Sequence, residues 1–100
     1  MHRRTKALDI SRAVKEAVWE RDGHRCILCG SIEAAPNAHY IARSHGGLGI
    51  PENIVTLCWD CHQAYDNGTN RRGYREMIRS YLQSQYPAWK EDALVYRKGR

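Results

Sequence analysis

The feature that most restricts this chain is a repeated spacing, Cys26-Ile27-Leu28-Cys29 and Cys58-Trp59-Asp60-Cys61, with 28 residues between the two pairs. Each C-x-x-C can present two thiolates to one ion from a tight knuckle, and four thiolates in a tetrahedron form a closed structural Zn²⁺ site. The other readings are a redox pair and two disulfides. A redox motif explains one pair and not the other, and disulfides do not persist in the cytoplasm, where a chain without a signal-peptide core is expected to reside. Structural zinc on Cys26, Cys29, Cys58 and Cys61 is therefore expected. Its binding energy, on the order of 10 kcal/mol, exceeds the net stability of many small domains. An ion closed by four thiolates has no open position, so any reaction must come from other residues.

The 100 residues leave room for one core. No apolar run exceeds four residues, which excludes a membrane span. The net charge of +5 is uneven: residues 1–25 carry +3, residues 26–70 carry −3 and residues 71–100 carry +5. A metal-hungry centre between basic ends suits a polyanion gripped beside a metal site, although the same charges could serve only to solvate exposed helices.

Ile10, Ala13, Val14, Ala17 and Val18 make a helical stripe starting near Ser11 and stopped by Asp22-Gly23. Its basic residues Arg12, Lys15 and Arg21 are expected to face solvent or phosphate, and residues 1–8 to form a loose basic arm. Residues 38–42 and 53–57 are expected to pair as a two-stranded ribbon joined by a glycine-rich connection. A short helix over 61–67 follows, with Asp60 as N-cap and Gly68 as stop. The last helix spans 71–86, with Tyr74, Met77, Ile78, Tyr81 and Leu82 on one stripe and Pro87 as the stop. Its other face carries Arg71, Arg72, Arg75 and Arg79, read as a DNA-facing row or a solvated face. Residues 93–96 add a final strand or a clasp, and Trp19, Trp59 and Trp89 are assigned to the core.

Between the knuckles lie His39 and Asn53, one at the start of each ribbon strand, and His62 follows the last cysteine. His62 and Asp66 are four residues apart, so they share a helical face and could hold one cation. Arg43 could clamp a phosphate near the first strand or pair with Glu52 or Asp60.

Over about residues 11–68 the sequence resembles the HNH endonuclease family, the ββα-metal nucleases. The residues carrying the resemblance are Arg21-Asp22-Gly23 before the first knuckle, His39-Tyr40-Ile41-Ala42-Arg43-Ser44-His45-Gly46-Gly47, and Asn53-Ile54-Val55-Thr56-Leu57-Cys58 leading to Cys61-His62. Leu48-Gly49-Ile50 and a terminal Tyr86-Pro87-x-Trp89 resemble small phage-type and bacterial members. The resemblance implies an α+β fold: a small zinc-stabilised ββα core flanked by an N-terminal and a C-terminal helix. It divides a single nuclease domain, 1–100, into a basic arm (1–10), a core (11–68) and a basic C-terminal helix and tail (69–100).

It also implies metal-dependent DNA hydrolysis, nicking or double-stranded, leaving 5′-phosphate and 3′-hydroxyl ends. Neutral His39 would be the general base, and His62 with Asp66 would hold the catalytic Mg²⁺, Mn²⁺, Ni²⁺ or Zn²⁺. Asn53 would orient the loop and His39, and Arg43, Arg71, Arg72 and Arg75 would contact DNA. Many relatives have an Asp or His ligand where this chain has Ala38, a place that Asp66, Asn37, water or phosphate oxygens could fill. The competing reading is a zinc-knuckle nucleic-acid-binding module without catalysis. The expected setting is the cytoplasm of a bacterial or phage-infected cell, with DNA, a second copy, or a phage or host protein as partner.

Overall fold

The structure, a computed structural model, describes residues 3–97, with side chains from Lys6 onward. The first two residues of the basic arm and the last three of the basic tail lie outside the described residues.

Where a loose arm was expected, residues 3–8 form a short helix, α1 (Arg3–Leu8). It is anchored by long-range contacts that local sequence does not reveal. Leu8 is buried, and the Ala7 carbonyl accepts the Gly49 N–H at 3.1 Å.

Helix α2 (Arg12–Arg21) starts at Ser11, whose hydroxyl accepts the Val14 N–H at 3.2 Å. Only Val18 of the expected stripe is fully buried, while Ala13 and Ala17 are exposed. The helix is held instead at its C-terminal end by Arg21, which turns inward rather than to solvent or phosphate. Its Nε and one terminal nitrogen donate to the two Asp22 carboxylate oxygens at 2.7 and 3.1 Å. The remaining donors reach the Pro51 carbonyl at 2.7 Å, the Tyr86 hydroxyl at 3.1 Å and the Ile54 carbonyl at 2.8 Å. Asp22 in turn accepts the Thr56 N–H at 2.8 Å and the Tyr81 hydroxyl at 2.5 Å. Burial is sustainable because the two charges neutralise each other and their polar atoms are so fully used.

Strands β1 (Ala34–His39) and β2 (Ile54–Cys58) pair antiparallel, with Ala34 opposite Cys58 and His39 opposite Ile54. The register is irregular between Ala35 and Ala38, where Pro36 has no N–H to donate. β1 begins four residues before the expected 38–42 and ends at His39. Beyond it, Asn53 replaces the ladder: its backbone carbonyl accepts the Tyr40 N–H at 2.7 Å and its Oδ1 the Ile41 N–H at 2.8 Å. The chain then turns through 3₁₀ segments at Arg43–His45 and Pro51–Asn53 before entering β2.

Helix α3 (Trp59–Asn67) begins two residues before the expected start and is capped by Cys58, not Asp60: the Cys58 Sγ accepts the Cys61 N–H at 3.4 Å. Helix α4 (Arg71–Gln85) buries Ile78 and Leu82, with Tyr74 and Tyr81 half-buried and Met77 half exposed. These side chains meet Tyr40, Val55, Leu57, Tyr65 and Leu94 in one core. Trp89 packs edge-on against Tyr40, and Trp19 stacks on His24, but Trp59 is 73% exposed and stands outside the core to which sequence assigned it.

Residues 93–96 close as a clasp. After a 3₁₀ turn at Glu91–Leu94, Val95 bridges Gly47, the Leu94 carbonyl accepts the Leu48 N–H and the Tyr96 N–H donates to the Gly46 carbonyl, both at 2.8 Å. A Cβ on Gly47 would fall 1.7 Å from the Ile41 carbonyl oxygen, so the loop under the clasp closes only around glycine. No helix among the described residues is long and apolar enough to cross a membrane.

Candidate metal and active site

The sheet brings the two knuckles together because Ala34, five residues past Cys29, pairs with Cys58. The ligand atoms of Cys26, Cys29, Cys58 and Cys61 all lie within 4.8 Å of one another, close enough for a single Zn²⁺ to gather them with bonds of about 2.3 Å. All four are free thiols rather than disulfides. Burial acts to raise the Cys26 thiol, but backbone hydrogen bonds around Cys58, Cys29 and Leu28 outweigh it and bring it down to about 7. Burial and the three neighbouring thiols push Cys61 strongly upward. Four thiols this close resist collective ionisation unless a cation sits among them, so the donor set fits a soft divalent metal.

His39, the last residue of β1, is half-buried with its Nε2 2.9 Å from the Leu8 carbonyl oxygen. A carbonyl only accepts, so Nε2 carries the hydrogen and Nδ1 of the neutral ring keeps its lone pair. Burial lowers the His39 pKa below the usual 6.5, and the charges of Arg43 and His62 add to the effect; the Leu8 contact and Asp66 oppose it without reversing it. The imidazole is thus neutral and oriented at neutral pH. Leu8 contributes through its backbone, which leaves no residue-type signal in the sequence.

On α3, His62 Nε2 lies 3.3 Å from Asp66 Oδ2. One divalent ion with bonds of about 2.1 Å can span two donors at that separation. Among the described residues, the cysteines form the one group of three or more side-chain ligands, so His62 and Asp66 stand as a pair. Ala38 is fully buried beside Val55 and belongs to the core. Asn37, the substitute ligand considered from sequence, lines an open groove together with His62.

Asn53 is completely buried, and its side chain is occupied by the loop: besides accepting from Ile41, its Nδ2 donates to the Ile41 carbonyl at 3.2 Å and the Leu48 carbonyl at 2.8 Å. It ties the glycine loop to the strand end that carries His39.

The arginines separate by environment. Arg43 is exposed and pairs with Asp9 at 2.5 Å, rather than with Glu52 or Asp60. Arg71 and Arg72 are exposed, the former over the Tyr65 ring at 5.2 Å. Arg75 is turned inward, donating to Glu91 at 2.6 Å with its guanidinium 4.6 Å from the centre of the Tyr40 ring. Arg79 lies 3.3 Å from the same carboxylate, so within the row Arg71 and Arg72 are the exposed members and Arg75 and Arg79 share Glu91. Glu91 carried no functional signal in the sequence, yet it draws both arginines and the Tyr40 hydroxyl together.

Comparison with known proteins bears on the family and the fold. The family model for HNH endonuclease matches residues 26–68, the span from the first knuckle through α3. A protein of Nostoc sp. named anaredoxin is 31% identical over 58 residues, covering 57% of this chain and 76% of its own. A similar fold occurs in the type IV phosphorothioation-dependent restriction endonuclease ScoMcrA, with a TM-score of 0.59 and 21% identity. That match covers 83% of this chain but only 21% of the larger enzyme. The chain belongs to the HNH endonuclease family, a class of nucleases.

Proposed function

We propose that this chain is a metal-dependent DNA endonuclease that hydrolyses phosphodiester bonds, with residues 1–100 acting as one domain. The observation that carries the reading is the hydrogen bond from His39 Nε2 to Leu8, which leaves Nδ1 as a neutral base within the electrostatic reach of His62 and Asp66.

In this reading Nδ1 of His39 takes a proton from water as the water oxygen attacks phosphorus. The bond from phosphorus to the 3′ oxygen breaks, that oxygen leaves with a proton from solvent, and the ends are 5′-phosphate and 3′-hydroxyl. A divalent cation held by His62 and Asp66 would supply Lewis-acid stabilisation of the charge developing on the phosphate and the leaving oxygen. Asn53 acts as a positioning residue, fixing the loop behind His39. Arg43, Arg71 and Arg72 contact the phosphate backbone, Arg43 by exchanging Asp9 for phosphate. Zn²⁺ bound by the four cysteines would tie the segment before β1 to the start of α3.

One observation favours the second reading, a zinc-stabilised DNA-binding module without cleavage: His62 and Asp66 offer a metal two side-chain donors rather than three. Supercoiled plasmid incubated with Mg²⁺, Mn²⁺, Ni²⁺ or Zn²⁺ separates the two. Metal-dependent nicking or linearisation, lost in both His39→Ala and His62→Ala, is the expected result. DNA binding with no cleavage under any metal would move the assignment to the binding module.

A further inference from the structure

Trp59 begins α3 with 73% of its surface exposed, a large indole face on a domain small enough to need its aromatics inside. It shares an open groove of about 410 Å³ with His62, and Glu33, Asn37 and Leu57 line the same groove. Trp59, His62 and Asp66 occupy positions i, i+3 and i+7 of α3, so they follow one another along one helical face. The indole therefore sits one side-chain spacing from the pair proposed to address the scissile phosphate.

The chemistry of the groove selects its occupant. Glu33 would repel a phosphate, and the apolar walls offer it nothing. A nucleobase satisfies every wall: its face stacks on the indole, its exocyclic amine donates to the Glu33 carboxylate, and Asn37 can both donate to and accept from its edge. Bases inside a duplex are already stacked and present no free face. We infer that this groove receives an unpaired, amine-bearing nucleobase of the DNA strand, stacked on Trp59 and adjacent to the phosphate at His62 and Asp66. This rests on the DNA-cleavage reading above and adds to it a preference for single-stranded or locally opened DNA at the cut.

The test uses the zinc-loaded full chain carrying His39→Ala, so that bound DNA stays intact whatever the catalytic outcome. A cytosine-containing oligodeoxynucleotide is titrated as a single strand and as a duplex, with tryptophan emission and affinity as readouts. The single strand should quench emission. Adding Trp59→Leu should remove most of that quenching and weaken single-strand affinity by about ten-fold or more, while Trp59→Phe retains most of the affinity. Duplex affinity should change little in either variant. Matching thermal unfolding curves establish that the exposed substitutions leave the fold intact. Single-strand affinity unchanged in Trp59→Leu, with parental binding present, overturns the stacking site alone. Equal losses for single strand and duplex overturn the preference for an unpaired base. Failure of the parent to bind either DNA overturns the site together with the DNA reading on which it rests.

Discussion

The Nε2 of His39 donates to the carbonyl of Leu8 across 31 positions of sequence, joining the candidate general base to the N-terminal segment rather than to another part of the zinc core. That segment is seated against Gly49, where an added Cβ would fall 2.1 Å from the Asp9 carbonyl oxygen. Gly49→Ala should push residues 7–9 outward and release the imidazole while the zinc site, at the other end of the β1–β2 pair, remains intact. A displacement of about 1 Å at a reacting group can lower turnover about a hundred-fold. Plasmid cleavage should therefore fall steeply in Gly49→Ala, with one zinc per chain still bound; unchanged cleavage would mean that the Leu8 contact does not position the base.

The pH profile follows from the same residue. Burial holds the His39 pKa below 6.5, and a cation at His62 and Asp66 would push it in the same direction. Only the neutral ring accepts a proton, so cleavage should persist to lower pH than an ordinary imidazole would allow and decline as pH falls through the lowered His39 pKa. The same sign applies to stability: below pH 6.5 the unfolded chain takes up a proton that the folded site resists, so stability falls towards the lowered folded-state pKa. Urea unfolding between pH 7 and 5 should show that loss reduced in His39→Ala.

Much of this arrangement was legible in the sequence because its signals are local. The two C-x-x-C spacings bring their thiolates together, Ser11 caps α2, and the four-residue offset of His62 and Asp66 places them side by side. The rest depends on partners far along the chain. Nothing near Arg21 announces that Pro51, Ile54 and Tyr86 will surround it, and a basic residue at the end of an amphipathic helix reads as surface until they do. The strong strand preference of Tyr40 and Ile41 points to a later first strand, yet their N–H groups are taken by Asn53. Residue type alone places Trp59 in the core, whereas its position in the first turn of α3 turns it outward.

Asp22→Ala should be among the most damaging substitutions outside the cysteines. It leaves Arg21, the Thr56 N–H and the Tyr81 hydroxyl without their shared acceptor in a site where Asp22 is almost wholly enclosed. Breaking a buried pair by removing one partner costs about 3–5 kcal/mol. Denaturant unfolding should detect a loss of that order, and adding Arg21→Met should recover part of it by removing the uncompensated charge. A loss below about 1 kcal/mol would show that the pair is dispensable to the junction of α2, β2 and α4.

The arginines of α4 can be distinguished by salt. If exposed Arg71 and Arg72 contact phosphate, replacing either with Ala should reduce the log-log slope of DNA affinity against salt by about one. Arg75 donates to Glu91 at 2.6 Å, so Arg75→Ala should leave the slope nearly unchanged and lower the melting temperature instead. The reverse pattern would place the DNA on the Glu91 side of the helix.

Zinc removal tests the scaffold beneath all of these predictions. Cys58 is a candidate ligand, the final residue of β2 and the N-cap of α3, so loss of the ion should loosen the strand and the helix carrying His62 together. With binding energy on the order of 10 kcal/mol, a strong chelator should unfold the chain cooperatively, and zinc should restore it. Elemental analysis should find about one zinc per chain before chelation, and Cys58→Ser should mimic the metal-free state. A chain that keeps its fold after complete metal removal would mean that the hydrophobic core around Tyr40, Leu57 and Leu82 is sufficient by itself, and that the four cysteines bind metal without governing the fold.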